Sequence, residues 1–252
     1  MRLSDHCFAV TGLGYVPPWS VNAGFVAGEQ ITLVVDTGAN AAAAATIHGY
    51  AMAVRPGNLL AVIDTEKHFD HIGGNGYFRE REIDVYGHGS LCRTEAEFRA
   101  EIAEFNEQIP NPARRARGEA EVFYHGTRLA NPNRPVGEDT RVDLGECEVE
   151  ILLTPGHTPT NLSVWAPRDG VLFCGDCLTN GYLPNLDCGT GIDWQQWLGS
   201  LERVARLAPK VVVPGHGPVA VGDEVGRVIG SVREVLEQSI AKGYSPTSAV
   251  RT

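Results

Sequence analysis

Four side chains of metal-binding types lie close together in residues 66–71, which read EKHFDH. Glu66, His68, Asp70 and His71 supply two carboxylates and two imidazoles, and a pair of glycines follows them directly. Imidazole nitrogen and carboxylate oxygen both bind zinc, and carboxylates also suit harder ions such as manganese and iron. The spacing therefore indicates a metal site, and such a site can activate water for hydrolysis.

Three further residues of the same types stand in one shared local setting. They are His157 in TPGHT, Asp176 in FCGDC and His216 in VPGHG, and each follows an apolar run and has a glycine beside it. Loops at strand ends are where a rigid scaffold usually presents catalytic groups, and a glycine there allows a sharp turn. The repeated setting predicts that these residues and residues 66–71 form one site.

The sequence resembles the metallo-β-lactamase-fold hydrolases over residues 22–218. The usual motif of that family is His-x-His-x-Asp-His, followed along the chain by a histidine, an aspartate and a histidine. The positions that match are His68, Asp70, His71, His157, Asp176 and His216. The early turn VVDTG, which contains Asp36, also has a counterpart in the family. The resemblance implies an α/β fold, a four-layer αββα sandwich with the site at one edge between two sheets.

The same resemblance implies two divalent metal ions. The ligands of the first ion would be residue 66, His68 and His157. The ligands of the second ion would be Asp70, His71 and His216. Asp176 would bridge the two ions together with a water or hydroxide. Asp70 would also help to position this nucleophile, which makes it the predicted catalytic residue.

Glu66 departs from the family motif, because a histidine is usual at this position. Either Glu66 is an oxygen ligand in place of imidazole, or it points away and the first metal is weak or absent. As a ligand it would bring the carboxylates around the two ions to three. Such a set favours manganese or iron more than an all-imidazole site would, while zinc stays possible.

The predicted function is metal-assisted hydrolysis of an ester, thioester, lactone or lactam carbonyl in a small molecule. The chain has neither a G-x-S-x-G elbow nor a P-loop that would indicate another nucleophile or a nucleotide. One alternative is a di-iron oxidoreductase or oxygen-activating enzyme on the same fold, whose relatives carry a carboxylate at a different position of the motif. Another is a non-catalytic relative that only binds a metal or ligand.

Several other residues are open to two interpretations. Tyr182 could line the substrate pocket, and His88 could be structural or line that pocket as well. Asp36 could orient a metal ligand or serve only as a turn residue. Cys174 and Cys177 surround Asp176 as C-x-x-C, and packing as small apolar residues is favoured over a redox pair.

The elements that must position these residues follow from apolar runs and helical spacing. The predicted strands are Ile31–Val35, Leu59–Ile63, 85–86, Glu148–Leu153, 171–174 and 210–213. The predicted helices are 39–54, 94–108, 194–207 and 223–241. Strand and helix alternate twice along the chain, which is typical of a layered α/β arrangement.

Two segments are expected to set substrate specificity, residues 110–139 and 181–191. The first is rich in Pro, Asn and Arg without sustained periodicity, so it is interpreted as a solvated connection or as a mobile flap over the site. Its arginines could attract an anionic substrate or form a solvated surface. They are Arg114, Arg115, Arg117, Arg128 and Arg134.

Length and composition limit the remaining possibilities. The 252 residues suit a single domain over 1–252, and the formal net charge of −10 argues against nucleic acid as a partner. No apolar run has the length of a secretion signal or a membrane span, which favours a cytoplasmic protein with no membrane partner. The six cysteines are spread out, so we expect most to be reduced and buried.

Overall fold

The computed structural model describes residues 1–14 and 20–243, and within them twelve β-strands and eight α-helices follow one another. The strands are β1 Cys7–Leu13, β2 Val21–Ala27, β3 Ile31–Val35, β4 Leu59–Ile63, β5 Val85–His88, β6 Arg134–Val136, β7 Thr140–Asp143, β8 Glu148–Leu153, β9 Leu162–Ala166, β10 Val171–Phe173, β11 Val211–Val213 and β12 Ala220–Val221. The helices are α1 Ala41–Val54, α2 Phe69–Ile72, α3 Asn75–Arg79, α4 Glu95–Gln108, α5 Pro112–Ala116, α6 Glu119–Phe123, α7 Gly191–Arg206 and α8 Asp223–Lys242. None of these helices is both long enough and apolar enough to cross a membrane.

The strands form two six-stranded sheets. The first sheet has the order β1-β2-β3-β4-β5-β6, antiparallel up to β3 and parallel from β3 to β6. The second has the order β12-β11-β10-β9-β8-β7, in which only β10 and β11 are parallel neighbours. Parallel neighbours end at the same edge of a sheet, so the loops after β4 and after β10 and β11 can present side chains together.

The core lies between the two sheets and on their outer faces. Successive residues of a strand point to opposite faces, so Leu33 packs between the sheets while its neighbour Val34 packs outward against α1. On the other side, Trp197 of α7 and Val232 of α8 cover the outer face of the second sheet. The order helix, sheet, sheet, helix confirms the predicted α/β four-layer αββα sandwich.

The predicted helix boundaries differ slightly from those observed, for reasons of capping. Helix α1 begins at Ala41 because the side chain of Asn40 accepts a hydrogen bond from the backbone of Ala43. Helix α7 begins at Gly191, ahead of the predicted residue 194, because Thr190 and Asp193 form a capping box there.

Residues 110–139 contain three short elements of secondary structure that the sequence does not predict. They contain α5, α6 and the edge strand β6, which pairs in parallel with β5. Asn111 caps α5, Pro112 occupies its first turn, and Gly118 separates the two helices at a φ of 72°. The segment shows no sustained periodicity in sequence because each of its two helices is only five residues long and has its own cap or turn.

Candidate metal centre

The site residues lie where strands end at one edge of the sandwich. Glu66 and helix α2 follow β4 of the first sheet, and His157 follows β8 of the second. Asp176 lies in a short 3₁₀ turn after β10, and His216 lies in the turn after the parallel neighbour β11. Both sheets therefore contribute to one cluster.

Helix α2 brings Asp70 and His71 into the cluster through close backbone packing. A Cβ at Gly73 would collide with the carbonyl oxygen of Ala39, and one at Gly74 would collide with that of Thr37. The glycine pair after the motif is therefore needed for α2 to approach the early turn that contains Asp36.

One part of the cluster, which we call the Glu66 group, consists of Glu66, His68 and His157. Glu66 is fully buried, and its Oε1 lies 2.7 Å from His68 Nδ1. His157 Nε2 lies 3.1 Å from His68 Nδ1 and 3.7 Å from Glu66 Oε2. Glu66 thus points into the cluster, next to two histidine nitrogens.

The other part, the Asp70 group, consists of Asp70, His71 and His216. His216 Nε2 lies 3.1 Å from Asp70 Oδ2, and His71 Nε2 lies 3.8 Å from the same oxygen. Asp176 stands between the two groups. Its Oδ1 is 3.3 Å from His216 Nε2 and 3.4 Å from His71 Nε2, while its Oδ2 is 3.5 Å from His157 Nε2.

Asp36 holds His71 in place. Its Oδ2 lies 2.9 Å from His71 Nδ1, and its two oxygens accept hydrogen bonds from the backbone N–H and the hydroxyl of Thr65. Asp36 also has a φ of 60°, which non-glycine residues adopt rarely and at a cost in free energy. It is therefore a turn residue that also orients a member of the cluster.

His157 and His216 are oriented in the same sense by backbone carbonyls. His157 Nδ1 lies 3.1 Å from the carbonyl oxygen of Asn185, and His216 Nδ1 lies 3.2 Å from that of Ser20. A ring that donates its Nδ1–H keeps the lone pair on Nε2, and Nε2 is the atom that faces the cluster.

His68 is turned the other way round. Its Nδ1 faces the cluster, and its Nε2 lies 3.4 Å from the sulfur of Cys188. Cys188 also lies close enough to His68 and His157 to form a possible metal-binding set with them. No local spacing in the sequence indicates a role for Cys188, although the segment 181–191 that contains it was expected to matter for specificity.

Three buried polar atoms of the cluster have no hydrogen-bond partner among the described residues. They are Glu66 Oε2, His71 Nε2 and Asp176 Oδ1. A buried acceptor without a partner costs free energy, and such atoms are rare in folded proteins. Three of them facing the same small volume fit divalent cations, for which carboxylate oxygen and imidazole nitrogen are suitable ligands.

The electrostatics of the cluster are those of a cation site. Burial alone would lower the pKa of His71, but the carboxylates of Asp70 and Asp36 raise it well above its usual value. Burial alone would raise the pKa of Asp176, but His216 and His71 hold it well below its usual range. The carboxylates thus create a negative potential at the imidazole nitrogens, and the same potential would stabilise bound cations.

A cavity of about 390 Å³ opens above the cluster. Its walls include Tyr182 and Leu183 from the segment 181–191, and Glu101 and Glu104 from α4. Tyr182 therefore lies at the cavity. His88 does not line it, because it sits at the end of β5 with its Nδ1 2.8 Å from the hydroxyl of Ser90.

The cysteines beside Asp176 are packed into the core. Cys174 and Cys177 are fully buried and contact the apolar cluster under α7, where the backbone carbonyl of Cys177 accepts a hydrogen bond from Trp197 Nε1. All six cysteines are unpaired in the described part of the chain.

Comparisons with known proteins agree with this architecture. Residues 16–216 match the family model of the metallo-beta-lactamase superfamily. The Probable metallo-hydrolase YqgX of Bacillus subtilis is 28% identical over 208 residues, which cover 81% of this chain and 88% of that protein. A metallo-beta-lactamase from Pontibacter korlensis has a similar structure, with a TM-score of 0.68, 20% identity and coverage of 94% of this chain and 97% of that one.

A hydroxyacylglutathione hydrolase of Thermosynechococcus vestitus is 30% identical over 149 residues, or 59% of this chain and 45% of that protein. The chain spans less than half of the length of this hydrolase, and the same holds for two other curated relatives that it matches.

Proposed function

Because the chain belongs to the metallo-beta-lactamase superfamily, we propose that it is a dinuclear-metal hydrolase of small molecules. The bond cleaved would be that of an ester, thioester, lactone or lactam. The observation that carries the proposal is the convergence of three buried, unpartnered atoms, Glu66 Oε2, His71 Nε2 and Asp176 Oδ1, on one volume. The hydrolase names of relatives support the same class of reaction.

In this proposal each group holds one metal ion. Glu66 takes the place of an imidazole in the Glu66 group, and Asp70 is the matching carboxylate of the Asp70 group. Asp176 directs one oxygen to each group, as its contacts with His157 and His216 suggest. Asp36, Asn185 and Ser20 fix the histidine rings that they contact, so that the ring nitrogens facing the cluster keep their lone pairs.

A pair of divalent ions supplies a water of lowered pKa and polarises the carbonyl of the substrate. Among the carboxylates of the cluster, Asp70 is the most exposed to the cavity, with its side chain 16% exposed against 10% for Asp176 and 0% for Glu66. The Oδ2 of Asp70 faces the two histidines of its group, so its other carboxylate oxygen would help to position the attacking water. Tyr182 and Leu183 would cover the substrate on the outer side of the cavity.

The three carboxylates of the proposed ligand set also support a second candidate function, that of a di-iron oxidoreductase. They favour manganese or iron more than an all-imidazole set would, so the di-iron oxidoreductase alternative rests on Glu66. Ultraviolet–visible spectra of the purified protein before and after dithionite distinguish the two functions. Iron-dependent bands that respond to reduction would favour redox chemistry, and a featureless spectrum with ester hydrolysis would favour the hydrolase.

The decisive experiment measures metal content and hydrolysis together, on parent protein, Glu66→Ala and the exposed control Glu138→Ala. We expect about two ions per chain in the parent and control, about one in Glu66→Ala, and hydrolysis of at least one chromogenic ester, thioester, lactone or lactam by the parent. Two ions retained in Glu66→Ala would remove Glu66 from the ligand set. A fully loaded parent that hydrolyses none of the four classes would refute the proposed function.

A further inference from the structure

A second, smaller cavity lies beside the one above the metal centre. It holds about 20 Å³, which is enough for a group the size of one water molecule or one ammonium head. Asp70, Glu101 and Glu104 line both cavities, so the smaller one is a side chamber of the substrate space. Its other walls come from Ala39, from α4 and from the segment 110–139.

The polar wall of this chamber consists mainly of hydrogen-bond acceptors. Glu101 and Glu104 present carboxylates, and Gln108 adds its Oε1, which is buried without a partner among the described residues. The orientation of the Gln108 amide is fixed, because its Nε2 donates to Glu104 Oε1 at 3.0 Å. A buried acceptor of this kind is stabilised by a donor that enters the chamber.

The apolar wall is aromatic. Phe105 of α4 stacks on Phe123 with ring centres 4.9 Å apart, and Tyr124 meets Phe105 edge-on at 5.4 Å. All three rings line the chamber. Aromatic rings next to carboxylates form the combination that binds ammonium groups, through the negative potential of the ring faces.

No lysine or arginine among the described residues lines either cavity. Three arginines of the segment 110–139 form ion pairs outside these cavities: Arg114 with Glu119, Arg128 with Glu80 at 3.0 Å and Arg134 with Asp84 at 2.8 Å. Arg93, which precedes α4, lies over the ring of Phe69 and 3.5 Å from Glu97. The negative charge of the chamber therefore has no cationic side chain of the protein in its walls.

We propose that this side chamber binds an ammonium group of the substrate, so that the enzyme acts on acyl compounds that carry a primary amine. Glu101 and Glu104 would bind the ammonium, Gln108 Oε1 would accept a hydrogen bond from it, and the aromatic rings would stabilise its charge. The assignment of a substrate class rests on the proposed function, since Asp70 connects the chamber to the metal centre. It would also place Phe123 and Tyr124 of the segment 110–139 in the wall of the substrate space.

The first test uses three para-nitrophenyl esters of similar length with the metal-loaded protein. Their acyl groups are aminohexanoyl (cationic), acetamidohexanoyl (neutral) and the adipate half-ester (anionic). We expect kcat/KM to fall in that order, with about tenfold between the cationic and neutral esters. In Glu101→Gln and Glu104→Gln this ratio should fall towards one, whereas Glu107→Gln, at a glutamate of α4 that lines neither cavity, should keep it. A parent ratio near one would overturn the proposal.

The second test separates binding from turnover. Titration calorimetry of the metal-loaded protein with hexylammonium chloride should show binding, while hexanol, which has the same chain, should bind at least about tenfold more weakly. If no ester, thioester, lactone or lactam is hydrolysed but hexylammonium binds and Glu104→Gln weakens its binding, the proposed function fails and the chamber proposal stands. If esters are hydrolysed but hexylammonium binds no better than hexanol, the chamber proposal fails alone.

Discussion

The two groups of the metal centre are supported by different parts of the molecule. In the Asp70 group, His71 is held by Asp36, whose carboxylate is itself held by Thr65 at the end of the first sheet. In the Glu66 group, His68 contacts the thiol of Cys188 and His157 contacts the carbonyl of Asn185. These two partners belong to the segment 181–191, which lies outside the sheets.

Each group consists of two histidines and one carboxylate, but the residues that orient the histidine rings differ between the two groups. A charge-assisted hydrogen bond that a ring N–H donates to a buried carboxylate is stronger than a contact with a thiol. Asp36 is buried, whereas Cys188 is half-exposed. We therefore expect the Asp70 group to hold its ion more tightly and to release it more slowly than the Glu66 group does.

The largest expected effect comes from Asp176, which contacts both groups. Asp176→Ala should remove the oxygens shared by the two sites, so that both ions are lost and the difference between the groups disappears. We expect activity to fall by more than the roughly 10²–10³-fold cost of losing one electrostatic contact in an active site. Metal analysis and hydrolysis assays measure this. A variant that keeps one tightly bound ion would show that Asp176 serves only one group.

A smaller effect is expected from Asp36, which acts only through His71. Asp36→Asn keeps the shape of the side chain but weakens its hydrogen bond to the ring of His71. Because His71 belongs only to the Asp70 group, the metal affinity of the Glu66 group should not change. The affinity of the Asp70 group should fall about 10–100-fold, as for other partners of metal-binding histidines. Competition with a coloured chelator resolves the two sites. An equal loss at both sites would contradict the proposed difference in support.

The smallest effect is expected from Cys188. Cys188→Ser replaces a weak sulfur contact with a hydroxyl of similar shape, so the affinity of the Glu66 group should change by about tenfold or less. The same chelator titration measures this change, and Cys92→Ser, at an exposed cysteine, is the matched control. A loss larger than that of Asp36→Asn would reverse the ranking and make Cys188 a metal ligand itself.

The sequence predicted the members of the cluster better than its surroundings. Each of the seven residues lies in a short motif at a strand end, and such a motif can be identified from the local sequence. The fold then brings these strand ends together at one edge of the sandwich. Cys188, Glu101 and Glu104 have no such pattern, and only tertiary packing brings α4 and the segment 181–191 to the cavity. His88 resembled a site residue because glycines flank it, but its ring is held by Ser90 instead.

The fold itself was predictable where strands are uniformly apolar and flanked by turns. Strands β3, β4 and β8 have the predicted bounds. Strand β2, VNAGFVA, was missed because both of its faces are buried, so apolar and polar residues do not alternate along it. It also contains Asn22 and Gly24, which are residue types that are uncommon in strands. Gly24 is required there, since a Cβ would collide with the ring of Phe173 in the opposite sheet.

Neither half of the chain contains a complete group. The first sheet carries Glu66 and His68 but lacks His157, and it carries Asp70 and His71 but lacks His216. A fragment that stops before β8 therefore has four of the seven residues and cannot assemble either set. Under the proposed function, the ions could bind in full only after residue 216 has emerged during synthesis and the second sheet has docked on the first. Metal uptake would then report completed assembly directly, and it could be followed during refolding without any substrate.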